Sequence, residues 1–163
     1  MINRKKLIEC FDDTIAFSKA SLADETIESI NSNTIIQENY VCCKKAKETD
    51  FGSIIVVEDS SFNVARQFSK MGKIAVLNFA NPIEPGGGVT RGAMAQEECL
   101  CRSSNLYLCL NDKNVQEGFY QAHKNENSSL ASDRLIYTKK YVYLKMMNLF
   151  RECLIEKNGS MLT

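Results

Sequence analysis

Two groups of chemically able residues stand close together in this chain. Gly86-Gly87-Gly88 is a run of three glycines, and Gln96-Glu97-Glu98 follows with two adjacent carboxylates. Consecutive glycines cost folding entropy and pack nothing, so they are best explained where backbone must approach something closely. Their N–H groups can line a concavity for hydroxyls or phosphates. A carboxyl facing such a loop is a candidate for general acid–base work. The loop is no Walker motif, because no Gly-Lys-Ser/Thr follows, and Arg91 occupies the position of the third glycine of Gly-x-Gly-x-x-Gly.

Ala93 to Leu100 is built from good helix formers, which places Gln96-Glu97-Glu98 in the first turns of a helix. Neighbouring side chains on a helix diverge by about 100°, so Glu97 and Glu98 cannot do the same job. One can face the glycines while the other orients a neighbour. A plainer reading is equally open. Glu98 and Arg102 make an i, i+4 ion pair worth about 0.3–0.5 kcal/mol, and acids near a helix start are favoured by its dipole. On physics alone the two readings stand level.

The remaining reactive side chains point elsewhere. His123 is the one histidine, and it lies in the polar stretch 122–129, which predicts an exposed loop position. The seven cysteines are Cys10, Cys42, Cys43, Cys99, Cys101, Cys109 and Cys153, with no Cys-x-x-Cys among them. Their odd number and the material available argue against a disulfide scaffold or a zinc cage, and predict reduced, mostly buried thiols. No metal or cofactor is expected.

Around these groups the pattern predicts an α/β domain. Leu7, Ile8, Phe11 and Ile15 share one face of a helix over Arg4–Ala20, and a weaker helix runs over Leu22–Ile30. Ile54–Glu58 reads as a buried strand. Asp59-Ser60-Ser61 starts a helix to about Met71 with Phe62, Ala65 and Phe68 inward, and Gly72 is placed as its left-handed cap. Lys73–Ala80 reads as a second strand, giving a βαβ unit with a parallel sheet. The glycine loop then leaves the carboxyl end of that strand, where open parallel sheets bind ligands. Pro82 and Pro85 stiffen it, and the polar run Lys113–Ser132 reads as a long loop.

The whole composition fits one domain. The chain has 163 residues, with 20 Lys+Arg against 20 Asp+Glu. Zero net charge argues against sequence-specific nucleic-acid binding. The longest apolar run, Ile54-Ile55-Val56-Val57, is far short of a membrane span, and the first residues lack a signal-peptide core, so a cytoplasmic protein is expected.

The stretch Leu77-Asn78-Phe79-Ala80-Asn81-Pro82, then Pro85-Gly86-Gly87-Gly88-Val89, then Gln96-Glu97-Glu98 closely resembles the microbial-type poly(ADP-ribose) glycohydrolase family. Leu100 to Tyr107 looks like that family's next helix, and the likeness runs from about Lys5 to Tyr143. The resemblance implies a macrodomain, a three-layer α/β/α fold with a mixed sheet. It also implies hydrolysis of the ribose–ribose O-glycosidic bond in poly(ADP-ribose), with the polymer or ADP-ribosylated proteins as partners. By position, Glu98 would be the catalytic carboxyl and Glu97 would hold ribose hydroxyls. Gly86, Gly87, Gly88, Val89 and Gln96 would line the ligand, and Asn81 and Asn78 would bond ribose hydroxyls. A non-catalytic ADP-ribose-binding macrodomain is the alternative, and an inactive truncated product is a third reading.

That last reading comes from the C-terminus. The likeness stops after Tyr143, so residues 1–143 read as the first part of a family domain, incomplete at its end, and residues 144–163 as a tail foreign to it. The tail can be back-translated so that one restored T ahead of codon 144 yields Phe-Lys-Asp-Asp-Glu-Phe-Ile-Pro, similar to the family's continuation. A frameshift is therefore expected, with an unstable and weakly active chain; a gene sequence whose codons forbid the shifted reading would refute it.

Overall fold

A computed structural model of the chain describes residues 3–37, 52–126 and 131–144. Helix α1 spans Arg4–Ser21, and the Asn3 side chain caps it by accepting from the Lys5 N–H. Its apolar stripe buries Leu7, Cys10 and Phe11, one turn apart, as the helical spacing predicts. Helix α2 follows at Ala23–Asn31, then the short strand β1 at Thr34–Ile36. Helix α3, Ser61–Phe68, starts on Ser60, whose side chain accepts from Asn63 N–H, and Phe62 is its buried residue. It stops at Ser69, ahead of the expected end, and Gly72 does not adopt the left-handed conformation assigned to it.

The functional stretch is a string of short elements. A 3₁₀ turn at Val89–Arg91 leads to helices α4, Gln96–Arg102, and α5, Leu106–Leu110. Helix α6, Lys113–Val115, runs through a π turn at Gln116–Tyr120 into α7, Gln121–Glu126. Strand β2, Leu135–Tyr137, pairs antiparallel with β1, Ile35 opposite Ile136.

The core joins α1, α3, α4 and α5 through Phe11, Phe62, Val89, Leu100, Cys101, Leu106 and Leu110. Phe11 meets the Tyr107 ring edge-on at 4.9 Å between centroids, and Phe62 stacks against Tyr143 at 4.7 Å. Buried polar groups lock the helices together. The Thr14 hydroxyl donates to the Arg102 carbonyl at 2.6 Å. The Asn105 side chain donates to Ser29 Oγ at 3.1 Å and accepts from Val142 N–H at 2.8 Å, tying α2, α5 and the last described segment.

Three expectations are corrected here. Neither 54–58 nor 73–80 forms a ladder among the described residues, whose one sheet is the antiparallel β1–β2 pair. A strand needs a neighbouring backbone, and here the apolar run faces outward instead: Ile54 is 94% exposed and Val56 93%. The run 113–126 is helical rather than a loop, because Val115, Phe119, Tyr120 and His123 fall on one helical face and are buried. His123 is therefore interior, its Nδ1 2.8 Å from the Phe119 carbonyl and its Nε2 2.9 Å from Ser132 Oγ. Since a carbonyl only accepts, Nδ1 carries the proton and the serine hydroxyl donates to Nε2. Cys10, Cys101 and Cys109 are buried, while Cys42, Cys43, Cys153 and the tail from 145 onward lie outside the described residues. No helix among the described residues is long and apolar enough to cross a membrane.

Candidate active site

The glycine loop is folded tightly around the two acids. Gly86 and Gly87 both adopt positive φ, +66° and +56°, a left-handed pair closed by Gly87 N–H donating to the Glu84 carbonyl at 3.0 Å. Gly92, also left-handed, lies against the start of α1, where a Cβ would stand 2.7 Å from the Arg4 carbonyl oxygen. Helix α1 thus buttresses the loop from behind.

Helix α4 delivers both carboxyls to this loop. Glu97 is 3% exposed and Glu98 7%. Glu98 Oε1 accepts from the Gly88 N–H at 2.8 Å, and its Oε2 is buried with no hydrogen-bond partner among the described residues. Glu97 turns to the incoming chain: its Oε2 accepts from the Asn81 N–H at 2.8 Å and its Oε1 from the Asn78 amide at 3.3 Å. Asn78 Oδ1 is a second buried acceptor without a partner among the described residues. The Asn81 side chain shapes the turn, accepting from the N–H groups of Ile83 and Glu84, each at 2.8 Å. Glu98 therefore faces the glycines rather than solvent, and its Oε2 and Asn78 Oδ1 are two buried acceptors of the kind that hydroxyl donors satisfy.

Burial pushes the Glu97 carboxyl above its ordinary range, with Glu98 adding to the rise; the Asn81 N–H and the Asn78 amide pull the other way. A folded value raised above the unfolded one means that stability is full at low pH and is lost as pH climbs past the ordinary 4.5. Glu97→Gln removes the titration while keeping an acceptor for Asn81. Its stability relative to wild type is expected to improve between roughly pH 4 and pH 7.5, measured by urea unfolding, whereas a pH-independent difference would refute this.

Gln96 and Val89, two predicted ligand residues, have contacts of their own within the chain. Gln96 spans to the extended chain: its Oε1 accepts from Phe79 N–H at 2.9 Å and its Nε2 donates to the Leu77 carbonyl at 2.7 Å. It holds 77–79 in place, as a neighbouring strand would. Val89 is fully buried in the core, so its side chain packs the underside of the loop. An open hollow of about 450 Å³ lies between α3 and residues 74–79, lined by Gln96 but by neither Glu97 nor Glu98.

The sequence reading passed over four neighbours of the site. Tyr107 and Cys101 press on Gly86, where a Cβ would meet Tyr107 Cδ2 at 2.9 Å and Cys101 Sγ at 3.2 Å. Burial, reinforced by Glu97 and Glu98, pushes the Cys101 thiol well up, so it is a neutral packing group. Burial likewise takes the Cys109 thiol up to about 12. Arg91 and Glu84 form an ion pair of 2.7 Å across the glycine turn. Opposite charges flanking the glycine triplet were the available signal for that pair.

A family described as microbial-type PARG, catalytic domain, matches residues 13–146. No curated protein matches the sequence. Among solved structures, the poly(ADP-ribose) glycohydrolase of Thermomonospora curvata is similar, with a TM-score of 0.68 and 26% identity over 82% of this chain and 54% of that one. The same glycohydrolase bound to the inhibitor ADP-HPD matches with a TM-score of 0.66 and 27% identity, over 82% and 53%. The chain spans about half the length of these structures.

Proposed function

The chain belongs to the microbial-type PARG catalytic-domain family, and on that premise we propose that it hydrolyses the ribose–ribose O-glycosidic bond of poly(ADP-ribose), releasing ADP-ribose. The observation that carries this reading is the Glu98 carboxyl. One oxygen is fixed by the Gly88 N–H, and the other is buried with no hydrogen-bond partner among the described residues. Glu98 protonates the leaving ribose oxygen as the glycosidic bond opens through an oxocarbenium-like state, and the carboxylate left behind takes a proton from the attacking water. Glu97, held by Asn78 and Asn81, fixes ribose hydroxyls. Gly86, Gly87 and Gly88 lie against the ribose and diphosphate, where side chains would block approach. A macrodomain-type three-layer α/β/α architecture belongs to the same proposal, carried by the family match.

A second reading has its own support. Apolar residues 54–57 are exposed, which supports a chain that holds ADP-ribose yet turns polymer over slowly by itself. Both readings are tested by incubating the full chain with poly(ADP-ribose) and quantifying ADP-ribose, with calorimetric titration of ADP-ribose alongside. Release at ordinary enzyme rates supports hydrolysis by the 163 residues alone, and binding without release supports the holding module. Neither binding nor release refutes the ADP-ribose assignment.

A further inference from the structure

Arg91 ends the 3₁₀ turn that follows the glycines, and its Nη2 donates to Glu84 Oε2 at 2.7 Å. Both side chains are about half or more in solvent, at 66% and 49% exposure. The same Nη2 lies 3.7 Å from the point where a Cβ on Gly88 would stand, and Glu98 Oε1 lies 3.6 Å from that point. The guanidinium thus reaches over Gly88 on the side that Glu98 faces. Glu84, Glu97 and Glu98 all bond groups of the 78–91 segment, and a diphosphate ligand would add more negative charge there. Arg102 is buried, donating to the Ala93 carbonyl at 2.6 Å and to Cys99 Sγ at 3.4 Å. A guanidinium offers five donors in a fork matched to phosphate oxygens, and the bond to Glu84 uses one end of it.

We propose that Arg91 is a phosphate-binding residue at the rim of the site, paired with Glu84 and passed to a phosphate of an incoming diphosphate ligand. For ADP-ribose as that ligand, the inference rests on the function proposed above. Glu84 is then a competitor for the guanidinium rather than a helper. A pair that merely staples the loop predicts the opposite for one of the two partners, and this makes the proposal decidable.

The test titrates the full chain with inorganic pyrophosphate and, separately, with ADP-ribose, at low and high salt. Arg91→Gln is expected to weaken pyrophosphate binding by about tenfold at low salt, while Glu84→Gln tightens it by about threefold. Both differences shrink as salt screens the exposed charges. Arg91→Lys, which keeps the charge and loses the fork, falls between wild type and Arg91→Gln. Thermal unfolding establishes that each variant is folded. If Arg91→Gln and Glu84→Gln move pyrophosphate affinity in the same direction, or neither moves it, the proposal is overturned whatever ADP-ribose does. Opposed shifts with pyrophosphate, together with no binding of ADP-ribose, would uphold Arg91 and refute the proposed function instead.

Discussion

Glu98→Gln is expected to lower the release of ADP-ribose from poly(ADP-ribose) by about a hundredfold to ten-thousandfold, the range that a positioned general acid supplies. The substitution is close to isosteric, and the amide oxygen can still accept from the Gly88 N–H, so the 2.8 Å contact that orients the side chain survives. What is lost is the proton that the leaving ribose oxygen needs. The fall should lie in kcat, with ADP-ribose affinity changed by less than about tenfold, because ground-state binding uses the loop and not the transferred proton. If activity drops by less than tenfold, Glu98 is not the acid. If binding is lost in parallel with turnover, the residue is holding the loop together and its role is structural.

The site was legible in the sequence because its parts are local. Ten positions separate the first glycine from Gln96, and a short helix with two acids in its first turn can point only a few ways. Helical geometry alone separated Glu97 from Glu98, and the coordinates turn Glu98 to Gly88 and Glu97 to Asn81. The helices α1 and α3 were legible for the same reason, since Asn3 and Ser60 are local caps and the apolar stripe is local too. What failed depended on distant partners. A run such as 54–57 has strand character only if another backbone lies beside it, and periodicity cannot say whether one does. The bonds of Gln96 to backbone groups at 77 and 79 were likewise invisible to periodicity, because those partners lie outside its own helix. His123 was misjudged by the polarity of its neighbours 124–129, although the spacing Val115, Phe119, Tyr120, His123 was already that of a buried helical face.

The loop and the acids are therefore one unit, since each glycine makes room for a particular group. Gly86 admits Tyr107 and Cys101, Gly92 admits the start of α1, and Gly87 admits the carboxyls themselves. Stability and chemistry are coupled at Gly87 more tightly than at the other two, because what would meet its side chain is the proposed acid rather than a packing atom.

Gly87→Ala is accordingly expected to damage both. The new Cβ would stand 2.6 Å from Glu98 Oε1 and 3.3 Å from Glu97 Oε2, and the backbone at φ +56° is one that side chains rarely adopt. The left-handed conformation costs about 1–2 kcal/mol for a residue with a Cβ. The contact with Glu98 forces the carboxyl to shift, and a displacement of order 1 Å at a reacting group costs about a hundredfold in rate. Gly72→Ala is the matched control: its Cβ meets nothing within 4 Å and its φ is not positive, so its unfolding midpoint and turnover should stay near wild type. The two effects separate experimentally. Urea unfolding reports the backbone cost, and single-turnover release of ADP-ribose reports the displaced acid. A Gly87→Ala chain that is destabilised yet turns over like wild type would mean that Glu98 does its work somewhere other than against this loop, and the close packing of acid on glycine would then be a feature of folding alone.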